Sequence, residues 1–192
     1  MSENTDTKNA DVEAQMREWI ARFVVGMNLC PFARQPVEGG QVKILVSDAR
    51  DNGALLEELQ RQLLWLDAQP SLATETTLIV ITEMLGDFLD YNDFLDLADA
   101  LLENLGWAGR FQFASFHPDY QFAGTGPGDA ENYTNRAPWP TLQLLREDSL
   151  ETVLGSYPDP DQIPERNIDA MNQLGSAALA DLLQECRAAK PK

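Results

Sequence analysis

The chain has 192 residues, 44% of them hydrophobic, which suffices for one domain with a sizeable core. Its 14 basic and 31 acidic side chains give a net charge of −17. So acidic a chain lacks the electrostatic footprint of nucleic-acid binding, and an anionic membrane surface repels it, so neither partner is expected.

Residues 1–9 are polar and read as a disordered N-terminal tail, ahead of a single globular domain over 10–189. The start of the chain has neither a basic nor an apolar signal region, and no apolar run reaches bilayer length. A cytoplasmic location is the expectation. Cys30 and Cys186 lie far apart without zinc-type spacing, which in such a chain predicts free thiols.

From Asp11, Val12, Met16, Trp19, Ile20, Phe23 and Met27 recur at helical spacing, and Pro31 ends that helix near Asn28. Val42–Ser47 reads as a strand. Asp51 or Asn52 can cap a second helix carrying Leu55, Leu56, Leu59, Leu63 and Leu66 on one face. The apolar run 77–82 predicts a strand buried on both sides. A third helix carries Phe94, Leu95, Ala98, Leu101, Leu102 and Leu105, with Gly106 as its stop. Strands follow at 111–116 and 141–145, the proline-rich segment 156–164 is expected to be irregular, and a last helix runs from Asn167 to Cys186.

This order predicts an α/β fold: a mainly parallel or mixed four-stranded sheet with helices packed on it, a ferredoxin-like α+β sheet being the alternative. Between the last two strands lies a run from His117 to Pro140, with the only histidine, four prolines and three glycines. A connection of that length is usually functional or disordered, and Tyr120, Phe122, Tyr133 and Trp139 argue against disorder. In a parallel arrangement it leaves the C-terminal end of a central strand, where open α/β sheets place ligands.

Within the run, His117 can act as acid, base or metal ligand, oriented by Asp119, with Tyr120 beside it. The competing reading is a histidine whose ring nitrogens satisfy backbone groups at a strand end. Arg136 can bind carboxylate or phosphate, joined by Arg146 if the fold brings them together, while Tyr133 and Asn135 line the pocket. Equally, Arg136 can bond loop carbonyls and hold the loop rigid. Cys30 follows a helix end, where the dipole disfavours thiolate, so it is either a nucleophile or a pocket wall. His117, Asp119 and Cys30 also offer three ligands of mixed softness for an open metal site, although nothing in their spacing demands one. Gly124-Thr125-Gly126-Pro127-Gly128 is not a dinucleotide fingerprint, because no helix follows it.

Four segments, Asn28–Ala33, Phe116–Thr125, Asn132–Pro140 and Leu144–Glu147, together resemble the bacterial domain-of-unknown-function family 1415. The resemblance runs from about residue 12 to residue 187 and implies a stand-alone soluble bacterial protein. It brings no activity, cofactor or catalytic residue with it.

Three functional expectations follow. The first is a small enzyme acting on an anionic or polar metabolite, with His117 as acid/base and Cys30 available as nucleophile. The second is a non-catalytic module that binds a ligand or a protein partner, its acidic surface favouring a basic one. The third is a metal-binding protein.

Overall fold

The structure, a computed structural model, describes residues 2–191, and side chains from Thr5 onward. The first helix, α1, spans Ser2–Trp19 and so takes in much of the polar segment 1–9. A π-helical stretch, Ile20–Val25, continues it, and a short helix α2, Arg34–Glu38, precedes strand β1, Val42–Ser47. Helix α3, Asn52–Asp67, is capped by the Asp51 side chain accepting the Ala54 amide, the first of the two caps the sequence offers. Strand β2, Thr76–Ile81, is buried along its whole length. Helix α4, Phe88–Asn104, is capped by Asp87, and strand β3, Phe111–Phe116, follows. After the long loop come β4, Thr141–Arg146, α5, Glu147–Ser156, α6, Ile163–Leu174, and α7, Ser176–Arg187.

The four strands form one sheet in the order β1-β2-β4-β3. β1 and β2 are parallel, and β4 runs antiparallel to both of its neighbours. The sheet is therefore mixed, within the α/β class. Three strands point the same way, and β4 is inserted between β2 and β3. Consequently β3 is an edge strand, not the central one that strand–helix alternation suggests. The physical reason is that no α-helix crosses over between β3 and β4, only a loop with a 3-10 turn at Ala130–Thr134, so their connection can join antiparallel neighbours.

Each face of the sheet carries its own core. On one, Val12, Met16, Trp19 and Phe23 of the first helical segment meet Leu78 and Val80 of β2 and Met171, Leu179, Leu183 and Cys186 of α6 and α7. On the other, Leu55, Leu59, Leu63 and Leu66 of α3 and Tyr91, Phe94, Ala98 and Leu102 of α4 cover Ile79, Ile81, Leu142 and Leu144. Alternate residues of β2 serve opposite cores, as the period of a strand requires.

Two helical details depart from expectation. The last helix breaks at Gly175, whose φ of 79° and ψ of 151° are far from helical. The apolar spacing nevertheless continues across the break, so the pattern does not reveal it. Helix α5 is absent from the sequence reading because none of its residues is buried. In the proline-rich segment, Pro160–Gln162 forms a 3-10 turn, and Pro164 sits in the first turn of α6, where its missing N–H is not needed.

Candidate functional site

The loop from His117 to Pro140 begins at the last β3–β4 pair, which a side chain bridges. Phe116 and Thr141 are register partners, and the bond from Glu147 N–H to Arg110 C=O places the even-numbered residues of β3 in the hydrogen-bonded pairs. Yet Phe116 N–H donates to the Tyr91 hydroxyl at 3.1 Å, and that hydroxyl donates to Thr141 C=O at 2.8 Å. A phenol from α4 thus stands in the last rung. It ties both strands to α4 where the loop opens, and burial pushes its pKa far up, so it stays protonated.

His117 is fully buried. Its Nδ1 accepts the Asp119 amide at 3.0 Å, and Nε2 lies 3.1 Å from Leu85 C=O. An amide only donates, so Nδ1 carries no hydrogen and Nε2 donates to Leu85. Both ring nitrogens are thereby bound to backbone, and rings of Phe88 and Tyr91 lie 5.4 and 5.1 Å away. Burial lowers the imidazole pKa, with the bond to Leu85 and the charges of Asp119 and Asp87 opposing. The exposed Asp119 thus meets the ring through its amide, not its carboxylate.

The rest of the loop is bonded to itself. Asn132, fully buried, accepts Phe122 N–H at 3.0 Å and donates to Gly126 C=O at 2.8 Å. Arg136 donates from Nε to Tyr120 C=O at 3.1 Å and from Nη2 to Pro127 C=O at 2.8 Å, over the ring of Tyr133. Asn135 donates to Ser115 C=O and accepts His117 N–H. Tyr120 packs between Phe88 and Phe122 in tilted and edge-to-face contacts, and Tyr133 is buried in the core on the α1 side. Trp19 fastens the loop to α1 by donating to Arg136 C=O at 2.9 Å. These residue types, which suggest a pocket when read in sequence, here hold a rigid loop together.

Cys30 and His117 are held by different elements. Cys30 follows Leu29, which is buried in the core on the α1 side, whereas His117 packs on α4. Burial raises the Cys30 thiol pKa, opposed by the amides of Phe32 and Ala33, and Arg34 pairs with Glu38. Arg146 is also remote from Arg136, at the far end of β4, where its Nη2 donates to carbonyls of Leu66 and Gln69. Among the described residues no three His, Cys, Asp or Glu side chains are grouped so as to hold a metal ion.

What His117 does reach is a cleft. Leu85 has a φ of 56°, a left-handed conformation that costs a non-glycine residue about 1–2 kcal/mol. Its carbonyl bond to His117 helps to hold it there. Leu85 lines a cleft of about 790 Å³, with Arg50, Asp51, Met84, Asp90, Asp93 and Phe94 among its walls. The cleft opens at the carboxyl ends of β1 and β2, between the amino ends of α3 and α4. Arg50 is occupied by Glu83, which also pairs with Lys8 and is held below the usual carboxylate range, first by Lys8 and then by Arg50. Asp51 caps α3. Asp90 and Asp93 have no cationic partner among the described residues. Sequence reasoning missed this lining. The three-residue spacing of Asp87, Asp90, Asp93 and Asp96 was visible, but the left-handed Leu85 was not.

Fold and site together define a mixed-sheet α/β domain with a braced loop and an acidic cleft. No helix among the described residues is long and apolar enough to cross a membrane. The chain belongs to the family described as protein of unknown function (DUF1415), whose model matches residues 11–181. It has no significant match among curated proteins or among solved structures.

Proposed function

We propose that this protein is a non-catalytic binding module that receives a basic segment of a partner, lysine or arginine set among aliphatic residues, in the cleft beside Leu85. The observation that carries this reading is the pairing of two uncompensated carboxylates, Asp90 and Asp93, with the apolar surface of Met84, Leu85 and Leu97. Such a lining favours a cation with a hydrophobic body, and the net charge of −17 steers it inward. His117 then acts by position, fixing the shape of the cleft wall. For His117 to exchange a proton with a substrate, as the enzymatic reading requires, the Leu85 segment would first have to move away.

The test is fluorescence anisotropy with a labelled peptide of alternating lysine and leucine. The double variant Asp90→Asn/Asp93→Asn should weaken binding about tenfold or more. The control Asp169→Asn/Asp181→Asn, which removes the same charge from exposed positions on α6 and α7, should leave it nearly unchanged. Equal weakening in both would reduce the effect to net charge and overturn the proposal.

A further inference from the structure

At the opposite end of the sheet from the loop, the C-terminal end of β4 and the N-terminal end of β3 border a second cavity of about 190 Å³. Asp67, Ser71, Arg110, Arg146, Asp148 and Ser149 line it. Two guanidinium groups facing one small cavity are unusual in so acidic a chain. Both are anchored through Nη2: Arg110 to the Asp67 carboxylate, and Arg146 to carbonyls of Leu66 at 2.6 Å and Gln69 at 2.8 Å. The anchoring fixes each planar fork while leaving Nη1 of both residues without an acceptor among the described residues.

The start of α5 adds donors of another kind. No side chain caps this helix, and Glu147 N–H donates to Arg110 C=O. The amides of Asp148 and Ser149 lie in the first turn, where an α-helix offers no intrahelical acceptor. The hydroxyls of Ser71 and Ser149 complete the lining. Donors thus arrive from two guanidinium forks, a helix amino end and two hydroxyls. That spread of directions suits a tetrahedral oxyanion better than a flat carboxylate.

We propose that this cavity binds a phosphate-class oxyanion, free or as a group on a small molecule. Asp67 is neutralised by Arg110. Asp148 is the lining carboxylate without a cation partner among the described residues, and it opposes the ligand. Its removal therefore tightens binding.

The experiment is an amide NMR titration of the intact protein with inorganic phosphate, at constant ionic strength set with chloride. The Asp148 and Ser149 amides should shift saturably. Arg110→Gln should weaken binding about tenfold or more, and Asp148→Asn should strengthen it several-fold, consistent with charge-assisted bonding. The unchanged spectrum of remaining residues certifies the fold in each variant. Repeating the titration with a phosphate monoester distinguishes a group on a small molecule, which binds more tightly than the free ion, from the free ion itself. Non-saturating shifts at Asp148 and Ser149, or equal affinity in Arg110→Gln, would overturn the proposal.

Discussion

Protonating His117 sets two donors against each other, because a hydrogen on Nδ1 would face the Asp119 amide that now donates to it. The folded pKa is lowered by burial, whereas an unfolded histidine titrates near about 6.5. Above that pH both states are neutral and the contribution of this residue is complete. As pH falls below it, the unfolded chain takes up the proton first, so stability declines until the lower folded pKa is reached. Urea unfolding between about pH 7.5 and 5.5, a range that lies above most carboxylate titrations, should show this decline. His117→Gln should start about 1–3 kcal/mol less stable, having lost bonds to backbone groups, and its pH dependence should be flatter. Parallel curves for the two proteins would refute the assignment. The sequence made this residue conspicuous and named both of its possible roles. What it did not contain was the path of the chain that brings Leu85 C=O and Asp119 N–H to the ring. Arg136 is a similar case, since its partners Tyr120 C=O and Pro127 C=O are backbone atoms, and residue spacing carries no information about them.

Where burial is one-sided and sustained, elements were legible. Of the predicted faces, Leu55, Leu59, Leu63, Leu66, Phe94, Ala98 and Leu102 are buried in the core, Leu56, Leu95, Leu101 and Leu105 pack half-buried against it, and β3 has the predicted bounds. Legibility failed where an element has little to bury, as in α5, or where a backbone conformation interrupts an unbroken apolar pattern, as at Gly175. The latter invites a paired test. A Cβ at Gly175 would meet nothing within 4 Å, so the penalty of Gly175→Ala is purely conformational, about 1–3 kcal/mol for a region reserved to glycine. Gly155 lies within α5, also with nothing within 4 Å of its Cβ, and there alanine should stabilise by about 0.5–1 kcal/mol. Chemical denaturation of the two variants should give opposite signs, and destabilisation by both would contradict the helical state of Gly155.

Charge acts at the scale of the whole molecule. Acidic side chains outnumber basic ones by 31 to 14, and Asp90, Asp93, Asp96 and Asp99 recur along α4. The Asp99 carboxyl is pushed up, first by burial and then by repulsion from Asp96 and Glu103. Self-repulsion of this kind favours the expanded chain and is screened by salt. Raising NaCl from about 0.05 to 0.5 M, which shortens the screening length several-fold, should raise the thermal midpoint by a few degrees. A lower midpoint in high salt would mean that attractive ion pairs, such as Lys8–Glu83 and Arg22–Glu185, outweigh the repulsion.

The bond from His117 to Leu85 also supplies a spectroscopic handle. A protein with one histidine gives a single set of imidazole resonances, with no second histidine to be told apart from it. Because the ring touches the backbone of a cleft wall, anything that enters the cleft and displaces Leu85 will alter the shielding of those protons. Protein labelled with 13C at histidine alone, and a two-dimensional spectrum with one residue in it, are then enough to screen for occupants.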